Sequence, residues 1–180
     1  MRIISGDWRG RKLTAPKGEA TRPTADRTRE TLFSMLTSRL GSFDGLEVAD
    51  LFAGSGALGL EALSRGAANC LFVEQERDAL AAIRANIAAF DARARTRVEA
   101  MSVMHLRARP QPLDLILLDP PYHTGAGEVA LDRLKRLGWI GEATWMALET
   151  SVKEEPQIAG LTIDATRKVG KAKLTLLRLG

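Results

Sequence analysis

The sequence predicts an α/β domain built on a mostly parallel sheet with helices on both faces. Three observations carry that prediction. Leu115-Ile116-Leu117-Leu118 is an uninterrupted apolar run, the pattern of a strand buried on both faces, and Asp119-Pro120-Pro121-Tyr122 stops it. Gly54-Ser55-Gly56-Ala57-Leu58-Gly59 follows one strand pattern and opens a helical one. Strand and helix patterns then alternate along most of the chain, as they do in parallel sheets.

Taken in order, residues 2–5 and 11–14 read as two short strands joined by the turn residues 6–10, hence a hairpin. Residues 17–23 read as a linker. Thr24 is placed to cap a helix over about 25–40, whose apolar face is Leu32, Phe33, Leu36 and Leu40. Asp26 and Glu30 share one face of that helix, and beside a ligand crevice some of its charges are expected to point inward. A strand over 47–52, a turn over 53–56 and a helix over 57–65 come next, with Gly66 as the stop. A second strand spans 70–74. The helix over 77–90 carries Leu80, Ile83 and Ile87 on one face. A weak strand at 96–99, a short helix at 102–107 and a strand at 113–118 follow. The helix at 127–137 is patterned by Val129, Leu131, Leu134 and Leu137. A fifth strand spans 145–149. Residues 161–169 and 173–179 form an antiparallel closing pair around Gly170. No internal repeat interrupts this order.

The composition is that of an ordinary globular domain, 45% hydrophobic and 27% charged over 180 residues. No apolar run approaches the ~20 residues of a membrane span, and the N-terminus is too short in apolar length for a secretory signal. Cys70 is the only cysteine, which excludes an internal disulfide and a thiolate metal cluster; it is expected to be a small buried apolar residue. The cytoplasm is the expected compartment, with no membrane and no metal involved. Charge is uneven. Residues 1–30 hold eight basic and four acidic side chains, which is the whole net charge of +4. A basic arm on a neutral body points to a polyanion. Trp8, with Arg9, Arg11 and Lys12 beside it, combines a stacking face with phosphate-binding charge. The alternative for Trp8 is a cover over the sheet edge.

The glycine turn lets a ligand approach the backbone, and the helix behind it presents free N–H groups. Glu74 ends the next strand about twenty residues later, where a carboxylate accepts from ribose hydroxyls. The expected cofactor contacts are Asp50, Phe52, Ala53, Gly54, Ser55, Gly56, Gly59, Glu74 and Gln75, together with Asp119 from the corner. Asp50 either meets a ligand's ammonium group or satisfies nearby backbone. A nicotinamide dinucleotide and S-adenosylmethionine both fit this half. The Asp119–Tyr122 corner separates them, because a dehydrogenase has no use for it and an amino-group methyltransferase does.

An exocyclic amine on a base is a poor nucleophile, since its lone pair is delocalised into the ring. Two acceptors on its N–H groups draw the nitrogen toward tetrahedral geometry. The Asp119 carboxylate and the Pro120 carbonyl are the candidate acceptors. Pro121 and Tyr122 border the base, with Tyr122 stacked on it. A sulfonium donor is already activated, so positioning supplies most of the catalysis. His105 reads as structural, and His123 flanks the corner without an assigned step.

Four runs resemble the RsmD-type bacterial 16S rRNA guanine-N2 methyltransferases. They are Arg2-Ile-Ile-Ser-Gly-Asp-Trp-Arg-Gly-Arg-Lys-Leu13, Arg22-Pro-Thr-Ala-Asp-Arg-Thr-Arg-Glu-Thr-Leu-Phe33, Asp50-Leu-Phe-Ala-Gly-Ser-Gly-Ala-Leu-Gly-Leu-Glu-Ala-Leu-Ser-Arg65 and Asp119-Pro-Pro-Tyr122. The resemblance implies a Rossmann-like class I methyltransferase with a seven-stranded sheet at 25–180, extended by an RNA-contacting hairpin at 1–24. It implies S-adenosylmethionine as donor and a guanine of 16S rRNA as substrate, met within a partly assembled small subunit by a monomeric enzyme. It places Arg22, Thr24 and Arg27 at the border of cofactor and base. Many such enzymes carry an acid after the third strand to hold the adenine amino group. Here Glu99-Ala100-Met101 stands there, and backbone at Ala100 and Met101 is expected to take that role. Two other readings share part of the pattern. A DNA adenine-N6 or cytosine-N4 methyltransferase has the corner, but no further domain here reads DNA. A non-catalytic RNA-binding assembly factor would keep the fold alone.

Overall fold

The computed structural model describes residues 1–17 and 23–180, apart from the side chains of residues 23 and 24. The strands are β1 (Glu47–Leu51), β2 (Asn69–Glu74), β3 (Thr96–Ala100), β4 (Leu115–Leu118), β5 (Trp145–Ser151), β6 (Leu161–Val169) and β7 (Ala172–Leu179). They form one seven-stranded sheet in the order β3-β2-β1-β4-β5-β7-β6. β1 to β5 run parallel, and β7 joins β5 and β6 antiparallel. The helices are α1 (Pro23–Leu40), α2 (Ala57–Ser64), α3 (Arg77–Ala89) and α4 (Ala126–Arg136).

β4 shows why the sequence folds this way. All four of its residues are buried, but they alternate: Leu115 and Leu117 enter one core, Ile116 and Leu118 the other. The first core takes Leu32, Phe33 and Leu36 of α1, Leu60 and Leu63 of α2, and Ile83 and Ile87 of α3. The second takes Ala130, Leu131 and Leu134 of α4. Three helices therefore cover one face and one covers the other. Cys70 is buried in the first core, and its surroundings push the thiol pKa up.

Several boundaries differ from the sequence expectation. α1 begins at Pro23, so Thr24 is its second residue and not its cap; proline suits a first turn whose N–H groups lack helical partners. Residues 102–107 form only a 3-10 turn at Val103–His105. Val129 lies 53% exposed, off the buried face of α4.

The hairpin is present but short: Arg2 bridges Lys12 antiparallel, Ile3 N–H bonds the Arg11 carbonyl, Leu13 N–H the Met1 carbonyl and Gly10 N–H the Ile3 carbonyl, around a turn closed by Arg9 N–H to the Gly6 carbonyl. The pairing extends no further because the next donors go elsewhere. Ile4 and Ser5 N–H bond the Glu61 carboxylate, and Asp7 N–H bonds the Ser64 carbonyl. Ile3 and Leu13 are buried in the first core, so this segment is part of the body.

Candidate active site

The chain reverses direction across the sheet between β1 and β4, and open α/β sheets bind ligands at that switch point. Leu51 pairs with Val73 on one side and Leu118 on the other, so the turn leaving β1 lies between Glu74 and Asp119. Glu74 in turn pairs with Ala100. The register thus gathers most of the expected cofactor residues at the carboxyl ends of four strands.

The turn is conformationally special. Phe52 has φ 57, a value that costs energy for a residue with a side chain, and such strain collects at sites. Gly54 and Gly56 also have positive φ, 58 and 82. A Cβ added at Gly54 would meet nothing within 4 Å, so the backbone borders open space there. At Gly59 a Cβ would sit 2.5 Å from the Phe72 ring and 2.6 Å from Cys70 Sγ, so this glycine serves packing of α2 on β2.

Glu74 holds the turn together. Its carboxylate accepts from Gly54, Gln75 and Glu76 N–H, each at 2.8 Å. A carboxylate has about four acceptor positions, so roughly one remains for a ribose hydroxyl. Asp50 takes the backbone role: it is 1% exposed and accepts from Gly59 N–H at 2.9 Å. Burial raises its pKa to about 8, against the opposing pull of that N–H. Ala53 bonds the Val73 carbonyl, and the Ser55 carbonyl accepts from Asn86. Ala100 is exposed, and Met101 packs on the second core.

At the corner, Asp119 is exposed at the end of β4 while Pro120 is buried. Gly127 lacks the side chain that would strike Leu148 and Pro120, which lets α4 close on the corner. Thr124 Oγ1 bonds the Pro121 carbonyl at 2.8 Å and accepts from Ala126 N–H. His123 has φ 61, and its N–H bonds Glu154 at 3.1 Å. Tyr122 is 40% exposed and its hydroxyl donates to Glu149 Oε1 at 3.4 Å. Burial, then the charges of Glu149 and Asp119, pushes the Tyr122 pKa far up, so its hydroxyl stays protonated.

The basic segment is only partly available. Arg9 and Lys12 are exposed. Arg11 is bound to the Ala89 carbonyl and sits 4.5 Å over the Phe90 ring. Trp8 does not offer the expected stacking face: Phe90 stacks on it at 4.9 Å, and Arg95 lies 5.5 Å from its ring. It covers the end of α3, not the sheet edge. Arg27 is exposed on α1. Arg22 lies outside the described residues, as does the Thr24 side chain. The charge that α1 aims inward is Arg29, not Asp26 or Glu30.

A cavity of about 580 Å³ lies beside β3, lined by Asn69, Leu71, Arg97, His105 and Arg107 among others. It occurs where the second face is covered by the 3-10 turn instead of a helix. It reaches Met101 but not the Asp119 corner. Among the described residues no group of three or more His, Cys, Asp or Glu is placed to hold a metal ion. Among the described residues no helix is long and apolar enough to cross a membrane.

Residues 1–178 match the family described as Conserved hypothetical protein 95. The chain belongs to this family. Ribosomal RNA small subunit methyltransferase D of Escherichia coli is 38% identical over 153 residues, covering 85% of this chain and 76% of the relative. The protein of the same name from Haemophilus influenzae is 36% identical over 162 residues, 88% and 82% of the two chains. The solved structure of the Escherichia coli yhhF protein superposes with a TM-score of 0.84 at 34% identity, covering 99% and 97%. Membership makes the chain a class I methyltransferase, and S-adenosylmethionine is the cofactor expected of that class. The open space at Gly54 and the spare acceptor position of Glu74 fit such a group.

For this family member, sequence reasoning missed four polar residues. Asn86 exchanges bonds with Thr14 of the N-terminal segment and also donates to Ser55, tying that segment to the turn. Glu61, 0% exposed, joins the N-terminal segment to α1 and α2. Both were findable, since helical spacing puts each on a buried face. Glu149 and Glu154 brace the corner from β5 and the loop behind it, which only the fold reveals.

Proposed function

We propose that the protein transfers a methyl group from S-adenosylmethionine to the exocyclic N2 amine of a guanine in 16S rRNA of the small ribosomal subunit. The observation that carries this reading is the corner: an exposed Asp119 on a buried Pro120, one strand from the glycine turn. The names of the Escherichia coli and Haemophilus influenzae relatives support rRNA as the substrate.

The Asp119 carboxylate and the Pro120 carbonyl accept the two amine hydrogens and pull the nitrogen lone pair out of conjugation. Tyr122 stacks on the base; its protonated hydroxyl orients it and is no general base. When bound, the donor supplies a methyl carbon already activated by its sulfonium charge. Alignment then does most of the work. A bound donor would supply the methyl carbon to the nitrogen and keep the electron pair of its broken sulfur–carbon bond, and the surplus amine proton would pass to the Asp119 carboxylate that already accepts it and from there to water. The partly assembled particle is the proposed form of the substrate, the enzyme is a monomer, and the cytoplasm is its compartment.

The test is incubation with methyl-labelled S-adenosylmethionine and small subunits from cells lacking the enzyme, followed by mass mapping of the labelled nucleotide. Label on one guanine N2 is expected. Label in DNA, or in protein alone, defeats the reading. Asp119→Ala should abolish transfer while leaving RNA binding intact. A variant that still methylates would remove the corner from the chemistry.

A further inference from the structure

We propose that Glu149 determines base specificity by accepting a hydrogen bond from the guanine N1–H beside the amine that Asp119 holds. This inference rests on the guanine-N2 reading above and names the residue that selects the base.

Leu118 and Leu148 are the last paired residues of β4 and β5. Asp119 and Glu149 are the next residue on each strand, and neighbouring strands lie about 4.8 Å apart. Leu118 and Leu148 both enter the second core, so strand alternation turns Asp119 and Glu149 together toward the other face. Tyr122 links the two: its hydroxyl reaches Glu149, and both carboxylates lie near enough for their charges to act on it. Two carboxylates thus flank the proposed stacking ring.

The two glutamates near the corner differ in what they have left to offer. Glu154 is tied to the loop behind the corner by short bonds on both oxygens, one to His123 N–H at 3.1 Å and the other to Ser151 N–H at 2.7 Å. Glu149 is half-buried and accepts one long bond of 3.4 Å. That length is at the weak end for a hydroxyl donor, so a better donor readily displaces or shares it.

Base chemistry then decides. Guanine carries an N1–H donor directly beside its amine. Adenine and cytosine carry a ring-nitrogen lone pair beside theirs. A carboxylate at Glu149 gains a charge-assisted bond from guanine. It meets a lone pair on either of the others, leaving two acceptors facing each other. Asp119 and Pro120 alone would grip any of the three amines, so Glu149 supplies the discrimination that the corner lacks.

The experiment uses reconstituted small-subunit particles carrying guanosine or 2-aminopurine riboside at the methylated position. Both bases have the N2 amine, but 2-aminopurine has a lone pair at N1. Wild-type enzyme should prefer guanosine in kcat/KM by about a hundredfold or more, as sites built to pair a donor reject analogues lacking it. Glu149→Gln can donate its amide to that lone pair, so the preference should shrink by roughly tenfold or more. Tyr122→Phe should slow both substrates and keep the preference. If Glu149→Gln slows both substrates equally, the glutamate acts only through Tyr122 and the proposal is overturned. Equal rates with wild type overturn it too. Failure of wild type on guanosine particles would instead strike the guanine-N2 reading itself.

Discussion

Arg29 of α1 and Glu61 of α2 meet with both side chains buried, 3% and 0% exposed, their Nε and Oε1 atoms 3.4 Å apart. Glu61 also accepts from Ile4 and Ser5 N–H and pairs with Arg65 at 3.0 Å. Arg29 reaches on to the Arg2 carbonyl and to Asp26. One buried carboxylate therefore fastens three segments. Removing Glu61 leaves Arg29 with a half-exposed Asp26 and leaves the Ile4 and Ser5 N–H groups without their acceptor, and breaking a buried network of this kind typically costs about 3–5 kcal/mol. Glu61→Ala should lower the unfolding free energy by that order and release the amide protection of Ile4 and Ser5. The exposed pair Arg39–Asp164 is the contrast, and Asp164→Ala should cost less than about 1 kcal/mol. Urea midpoints at constant slope, with hydrogen exchange, check both.

The glycine turn separates two roles. Gly59→Ala forces a Cβ against Phe72 and Cys70, both buried, and neither neighbour can retreat. Overpacking of this kind costs about 1–3 kcal/mol. Gly54→Ala meets no atom and suffers only its φ of +58, worth about 1–2 kcal/mol. The fold should survive Gly54→Ala with the smaller loss, while the new methyl group fills the space the cofactor is proposed to use. Titration calorimetry with S-adenosylmethionine should show affinity falling by about tenfold or more. Undiminished affinity would move the cofactor away from this turn.

Strand–helix alternation and the site's location were legible because the apolar period marks the strands, and the glycine turn and the Pro-Pro corner mark where two of them end. The burial of Leu115–Leu118 and the glycines after β1 set the central strand and its neighbour. Glu74 was legible through its spacing from the turn. What stayed hidden was competition for partners. Trp8 looked available because nothing in its own segment shows that Phe90, at the end of a helix far along the chain, would stack on it. The hairpin stayed short for the same reason: Glu61 takes the Ser5 N–H that would extend the pairing.

Asp50 makes stability depend on pH. Its pKa is raised from an ordinary carboxylate value of 3.8 to about 8 in the folded chain. Below pH 4 both states hold the proton and no penalty applies. Between about 4 and 8 the unfolded chain ionises while the folded one does not, so folding loses stability as pH rises, by at most about 1.4 kcal/mol per pH unit. Above 8 the loss levels off. Asp50→Asn keeps an acceptor for Gly59 N–H and removes the titration. The stability of wild type relative to Asp50→Asn should fall across that window and flatten beyond it. A difference that stays constant from pH 4 to 9 would mean Asp50 ionises freely despite its burial.

Charge at the N-terminal segment should act on RNA through phosphates, but only through side chains that the fold leaves available. Arg9, Arg11 and Lys12 are all exposed, but Arg11 is also held by the Ala89 carbonyl and the Phe90 ring. Each phosphate neutralised contributes about −0.7 to −0.9 to the slope of log affinity against log salt. Arg9→Ala with Lys12→Ala should therefore weaken binding to small-subunit RNA and flatten that slope by about 1.4 to 1.8, with the unfolding midpoint nearly unchanged. Arg11→Ala should do the reverse, lowering the midpoint because it uncaps the end of α3 and loosens the ring stack. If the double variant keeps the wild-type slope, the excess positive charge of this segment serves solubility alone, and the RNA must be held by other arginines such as Arg27 on α1.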